Sequence, residues 1–74
     1  MAFTGFKHTT FKTSAYSVLG VPSYKGRSIQ YDDGRRVWQE TGRTLHVSRG
    51  GALAEAQSIT YKRQVELFET ACVA

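Results

Sequence analysis

From Leu53 onward the apolar residues return every three or four positions: Leu53, Ala56, Tyr61, Val65, Phe68, Ala71 and Cys72. That period predicts a helix over 52–72 with those side chains on one face. Glu55, Lys62, Arg63, Glu66 and Glu69 fall on the opposite side. Lys62 and Glu66, four apart, can pair weakly, in the less favourable order. Ile59 lands among the charges and reads as a single exposed apolar residue. The other reading of Ile59 is a contact with another chain. Ser48 or the glycines at 50 and 51 can start the helix.

Upstream the period changes to two. "GRSIQYDD" runs into Asp33-Gly34, a strong signal for a two-residue hairpin turn. "RRVWQE" runs into Thr41-Gly42, a second turn signal, and "RTLHVSR" ends at Gly50-Gly51. Three short strands at hairpin spacing predict an antiparallel meander over 25–49. Alternation divides the side chains between two faces. One takes Ile29, Tyr31, Val37, Leu45 and Val47 and is expected to meet the helix. The other takes Ser28, Gln30, Arg36, Trp38, Glu40, Thr44, His46 and Ser48 and is expected to stay open. On this reading Leu45→Ala unfolds the chain, while Trp38→Ala with Arg36→Ala removes partner binding and leaves the fold intact.

Residues 1–24 contain Phe3, Phe6, Phe11, Tyr16, Val18, Leu19 and Val21, too many apolar groups for a free tail. "HTTFKTSAYSVL" has the threonine and aromatic content of a strand. "SAYSVLG" also suits a short helical turn ended by Gly20, with Pro22 beyond. We read a fourth strand, preceded by a loose arm. The expected fold class is thus α+β: a small antiparallel sheet of three to four strands, a meander, packed on one long C-terminal helix. The whole is one domain, 1–74.

Composition narrows the chemistry. A chain of 74 residues buries only roughly 60% of the surface its unfolded form exposes, so its stability is marginal and a homodimer is plausible. The single cysteine cannot form an internal disulfide, which fits a cytoplasmic location. There is no membrane-spanning apolar run and no apolar stretch of the signal-peptide kind. His8 and His46 have no partner acid or cysteine at a spacing that would define a triad or a metal site. Asp32 and Asp33 flank a turn that favours aspartate for backbone hydrogen bonding. Gly50-Gly51 before a helix is a weak anion signal without a phosphate-loop pattern. Cys72 reads as a small core hydrophobe on the helix's apolar face. No enzyme, cofactor or metal is expected.

Ten Lys and Arg against six Asp and Glu give a net charge of +4, which favours a polyanionic partner. On the expected open face the candidate contacts are Gln30, Arg36, Trp38 and His46. Lys25, Arg27, Arg35, Arg43 and Arg49 lie at the strand ends and margins. "AYSVLGVP" resembles the start of a J-domain, but the His-Pro-Asp tripeptide of that family is missing and strands follow Pro22, so nothing is carried over. The pattern of strands, turns and one helix over 25–72 resembles the three-stranded DNA-binding domains of the integrase arm-binding and plant AP2 type. That resemblance implies a sheet in the major groove, with Arg and Gln reading base edges and peripheral cations on phosphates. It implies a nucleic-acid partner, DNA before RNA. In size and composition the chain is also similar to phage and plasmid accessory proteins such as anti-CRISPR and anti-restriction proteins. The alternative function is therefore inhibition, with a host nuclease surface occupied by Trp38 and the arginines. In a third arrangement the N-terminal aromatics fold over Trp38 and leave no open face.

Overall fold

The computed structural model describes residues 2–16, 20 and 22–72, and the side chains of all of these but 14–16, 71 and 72. Strands β1 (Gly5–Tyr16), β2 (Pro22–Asp32) and β3 (Arg35–Thr41) form one antiparallel sheet in the order β1-β2-β3. The helix α1 (Arg49–Cys72) follows and packs on β2 and β1. The α+β architecture expected from the pattern is the one observed. The suggested helical turn around Val18 and Leu19 lies outside the described residues, as do Val21 and the side chain of Cys72.

The turn chemistry holds where it was strongest. Asp33 and Gly34 join β2 to β3 with φ of 53° and 80°. Positive φ at both central residues is the requirement of the hairpin turn whose twist matches its strands. The N-terminal residues fold back on this turn: Gly34 N–H donates to the Phe3 carbonyl (2.8 Å) and Asp33 N–H to Thr4 Oγ1 (3.0 Å). Helix α1 begins at Arg49, three residues before the expected start. The Ser48 hydroxyl caps it by accepting the Gly51 N–H at 3.3 Å, which satisfies one of the orphan donors of the first turn.

Two expectations need correction. "RTLHVSR" is not a strand. After β3 the chain touches β2 through Gly42 N–H to the Gly26 carbonyl (2.8 Å), and then through one isolated bridge between Tyr24 and His46. The sheet's outer strand on the other side is supplied by the N-terminal segment, which pairs with β2 from Gly5↔Tyr31 to Lys12↔Tyr24.

The second correction is larger: the helix covers the face expected to be open. The buried helix positions are Ala52, Ala56, Ile59 and Thr60, while Leu53, Tyr61, Val65 and Phe68 are exposed. Ile59, the expected misfit, belongs to the core. The physical reason is size. On this side β2 presents Gly26 and Ser28, and against them the helix sets Ala52, Ala56 and Thr60. A Cβ on Gly26 would overlap the carbonyl oxygen of Ala52, so helix backbone and strand are in direct contact. Fully buried Ser28 shares a 2.5 Å hydrogen bond with Thr60, and Thr60 another of 2.7 Å with His8 Nε2. A buried hydroxyl with its partner present carries little penalty, so a polar but small face outcompetes a bulkier apolar one. Of the five residues expected under the helix, Val37, Leu45 and Val47 are exposed, Tyr31 is half-buried and Ile29 is buried, but on the other face of the sheet.

Candidate nucleic-acid interface

Pairing register decides which side chains share the uncovered face. Lys7↔Ile29↔Gln39 and Thr9↔Arg27↔Thr41 form two rows across all three strands. Phe11↔Lys25 continues the face in one direction and Gly5↔Tyr31↔Arg36 in the other. Ile29 is only 5% exposed although no element among the described residues packs on this face. Its neighbours on this face are Lys7 and Gln39 across the strands and Arg27 and Tyr31 along β2, long side chains whose stems can shield an apolar residue.

The pairing of β3 slips at one place. Gln30 pairs with Trp38, but the next residue of β2, Tyr31, pairs with Arg36. Val37 is the extra residue of a β-bulge, and a bulge breaks strict alternation. Arg36 and Trp38, expected on one face, therefore lie on opposite faces. Arg36 is on the open side, where its guanidinium donates to Gln39 Oε1 at 3.1 Å. Trp38 is on the helix side.

The open face is cationic and aromatic. Lys7 Nζ stands 5.0 Å from the Phe3 ring and 5.3 Å from the Tyr31 ring. The Arg27 guanidinium lies 4.8 Å from the Phe11 ring and donates to Thr41 Oγ1 at 3.0 Å. At one end a shallow groove is lined by Phe11, Lys12, Thr13, Lys25, Thr41, Arg43 and Leu45. Lys7, Lys25, Arg27 and Arg36 thus come from three different strands. Among the described residues no carboxylate pairs into these rows: Asp32 and Asp33 are at the hairpin turn, Glu40 pairs with Ser28 on the helix side, and the others are on α1.

The remaining expected contact residues are committed to the helix side or the margins. Arg63 donates to Gln30 Oε1 at 3.1 Å and lies 4.9 Å from the Trp38 ring, which meets Phe6 edge-on at 6.4 Å. Trp38 is thus half-covered by a helix arginine and a β1 aromatic, close to the arrangement in which N-terminal aromatics cover it. His46 Nε2–H donates to Glu55 Oε1 at 2.7 Å. That bond, aided by the backbone N–H groups of Thr44 and Arg43 and opposed by partial burial, holds Glu55 below the usual carboxylate range. Arg49 stands 5.7 Å from the Tyr24 ring. Arg35 is exposed beside the turn, in register with Asp32.

Sequence reasoning missed Lys7, Phe3 and Phe11, because β1 alternates Phe-Lys-His-Thr-Thr-Phe and neither parity is distinctly apolar. It also put Tyr31 under the helix. Among the described residues no helix is long and apolar enough to cross a membrane. Compared with known protein families, curated proteins and solved structures, the chain matches none.

Proposed function

We propose that this protein binds duplex nucleic acid, DNA in preference to RNA, through the open face of its sheet. The observation that carries the reading is a face with Lys7, Lys25, Arg27 and Arg36 drawn from three strands and no carboxylate among the described residues. Three strands span about 10 Å across the sheet, and the major groove of B-DNA is about 12 Å wide. The deep, narrow major groove of A-form RNA does not admit such a surface. Lys7, Lys25 and Arg27 would hold phosphates, and the Arg36–Gln39 pair offers donors and an acceptor to base edges. The rings on this face support a duplex over a single strand. Phe11 and Tyr31 already carry Arg27 and Lys7, so their faces are not free platforms for stacked bases. The chain is not expected to be an enzyme on this reading, and a phage or other mobile element is the setting its size and charge suit.

The test is fluorescence anisotropy with a labelled DNA duplex at two salt concentrations. Three phosphate contacts give a slope of about −2.7 in log K against log salt, or on the order of a 40-fold loss from 50 to 200 mM. Lys7→Glu with Arg36→Glu should remove binding, whereas Arg49→Glu, outside the face, should lower it only slightly. Absence of duplex binding, or binding that survives the double charge reversal, refutes the reading. The same acid-free face would also suit an acidic protein surface. That inhibitor reading predicts a stoichiometric, salt-sensitive complex with a nuclease and no duplex binding.

A further inference from the structure

Helix α1 carries a second surface that the sheet does not use. Every described side chain from Gln64 to Thr70 is exposed. Tyr61, Val65 and Phe68 are 69%, 37% and 70% exposed. They are four and three residues apart, and at about 100° per residue they form one stripe roughly 140–160° around the helix from sheet-facing Arg63. Spacing of four and three is that of the two seam positions of a coiled coil. Lys62 and Glu69 flank the stripe on one edge, Gln57 and Gln64 on the other.

Those flanks select the occupant. In a parallel pair of such helices, each edge meets the opposite edge of its neighbour, so Lys62 and Glu69 would face glutamines. In an antiparallel pair each edge meets its own kind, and Lys62 of one copy faces Glu69 of the other, twice. We propose that the outer stripe of α1 binds the same stripe of a second copy of this chain, antiparallel, with Tyr61, Val65 and Phe68 in the seam and two reciprocal Lys62–Glu69 pairs at its edges.

A Tyr or Phe buries about 150–250 Å² when fully enclosed. The exposed fractions of Tyr61, Phe68 and Val65 therefore leave about 300 Å² per chain, or about 600 Å² per pair. Stable complexes bury about 1,200 Å² or more, so this dimer is weak and concentration-dependent. The stripe faces away from the sheet, so dimerisation leaves both open faces free and does not depend on what they bind.

Sedimentation velocity from about 5 to about 500 μM, spanning the weak-affinity range, tests the proposal. The wild-type chain should shift toward a dimer with concentration, and Phe68→Glu should stay monomeric with an unchanged circular dichroism spectrum. Tyr61→Lys is the second variant and should behave likewise. Lys62→Glu creates two like-charge pairs and should weaken association about tenfold. Adding Glu69→Lys to it should restore the wild-type affinity. A wild-type chain that remains monomeric throughout, or a folded Phe68→Glu chain that associates normally, overturns the surface. A charge swap that fails to restore association overturns the antiparallel arrangement.

Discussion

Ile59 and Leu45 exchange the roles that their sequence contexts suggest, and their alanine variants separate the two arrangements of the sheet. Ile59 is 7% exposed on the sheet-facing side of α1, while Leu45 is 47% exposed in the loop before the helix. Truncating a buried Ile or Leu to Ala costs about 2–5 kcal/mol, depending on how well the site relaxes. Ile59 borders an open groove lined by Glu40, Thr41, Gly42, Ser58 and Lys62, so water can enter the space left behind and the cavity contribution is small. The expected loss is about 2–3 kcal/mol, at the low end of that range. A chain of 74 residues has a total stability of roughly 4–11 kcal/mol, so this is a large share. It should lower Tm by about 10–20 °C. Leu45→Ala removes a side chain already half in water and should cost less than about 1 kcal/mol. Both are read by urea unfolding followed by circular dichroism. One low protein concentration is used, because self-association adds apparent stability. If Leu45→Ala loses as much as Ile59→Ala, the helix lies on the other face of the sheet and the division of faces argued above is wrong.

The other expectations concern the same interface. Gly26→Ala would drive a methyl into the Ala52 carbonyl oxygen and should cost about 3 kcal/mol, the upper part of the overpacking range; a loss below about 0.5 kcal/mol in thermal unfolding would mean that the helix does not touch β2 there. Trp38→Ala strips Arg63 and Phe6 of their ring partner and should lower stability by about 2 kcal/mol, less than a fully buried aromatic. It should leave the salt slope of duplex binding unchanged, because the ring lies on the helix side; a changed slope would tie Trp38 to the partner. Glu55 has its pKa lowered on folding by the His46 hydrogen bond. A lowered folded pKa means a contribution that is complete above the unfolded value, about 4.3, and lost as pH falls through the lower folded value. Glu55→Gln should therefore unfold with a weaker dependence on pH below about 4.3; identical acid-unfolding curves for the two proteins would disprove the linkage.

Several elements are legible in the sequence alone. Asp33-Gly34 demands positive φ at two adjacent residues, and only one common hairpin turn meets that demand. The helix is legible because its apolar period runs without proline over about six turns, and Ser48 can cap its start. The α+β class follows once an alternating stretch precedes such a helix. These are local properties, decided by backbone sterics and by neighbours in the chain.

The candidate site was not local. Hydrophobicity put Val37, Leu45 and Tyr31 under the helix, yet close approach of the backbones at Gly26 brought Ser28 and Thr60 together there, a gain that no single residue's polarity reveals. Strict alternation joined Arg36 to Trp38, and a one-residue bulge at Val37 separated them, because register depends on the neighbouring strand. The basic face draws Lys7 from one strand, Arg27 from the next and Arg36 from the third. Charge and composition were already present in the sequence. Which charges stand together, and which face the helix leaves open, was decided only when three distant segments paired and the helix settled on the side where it could approach most closely.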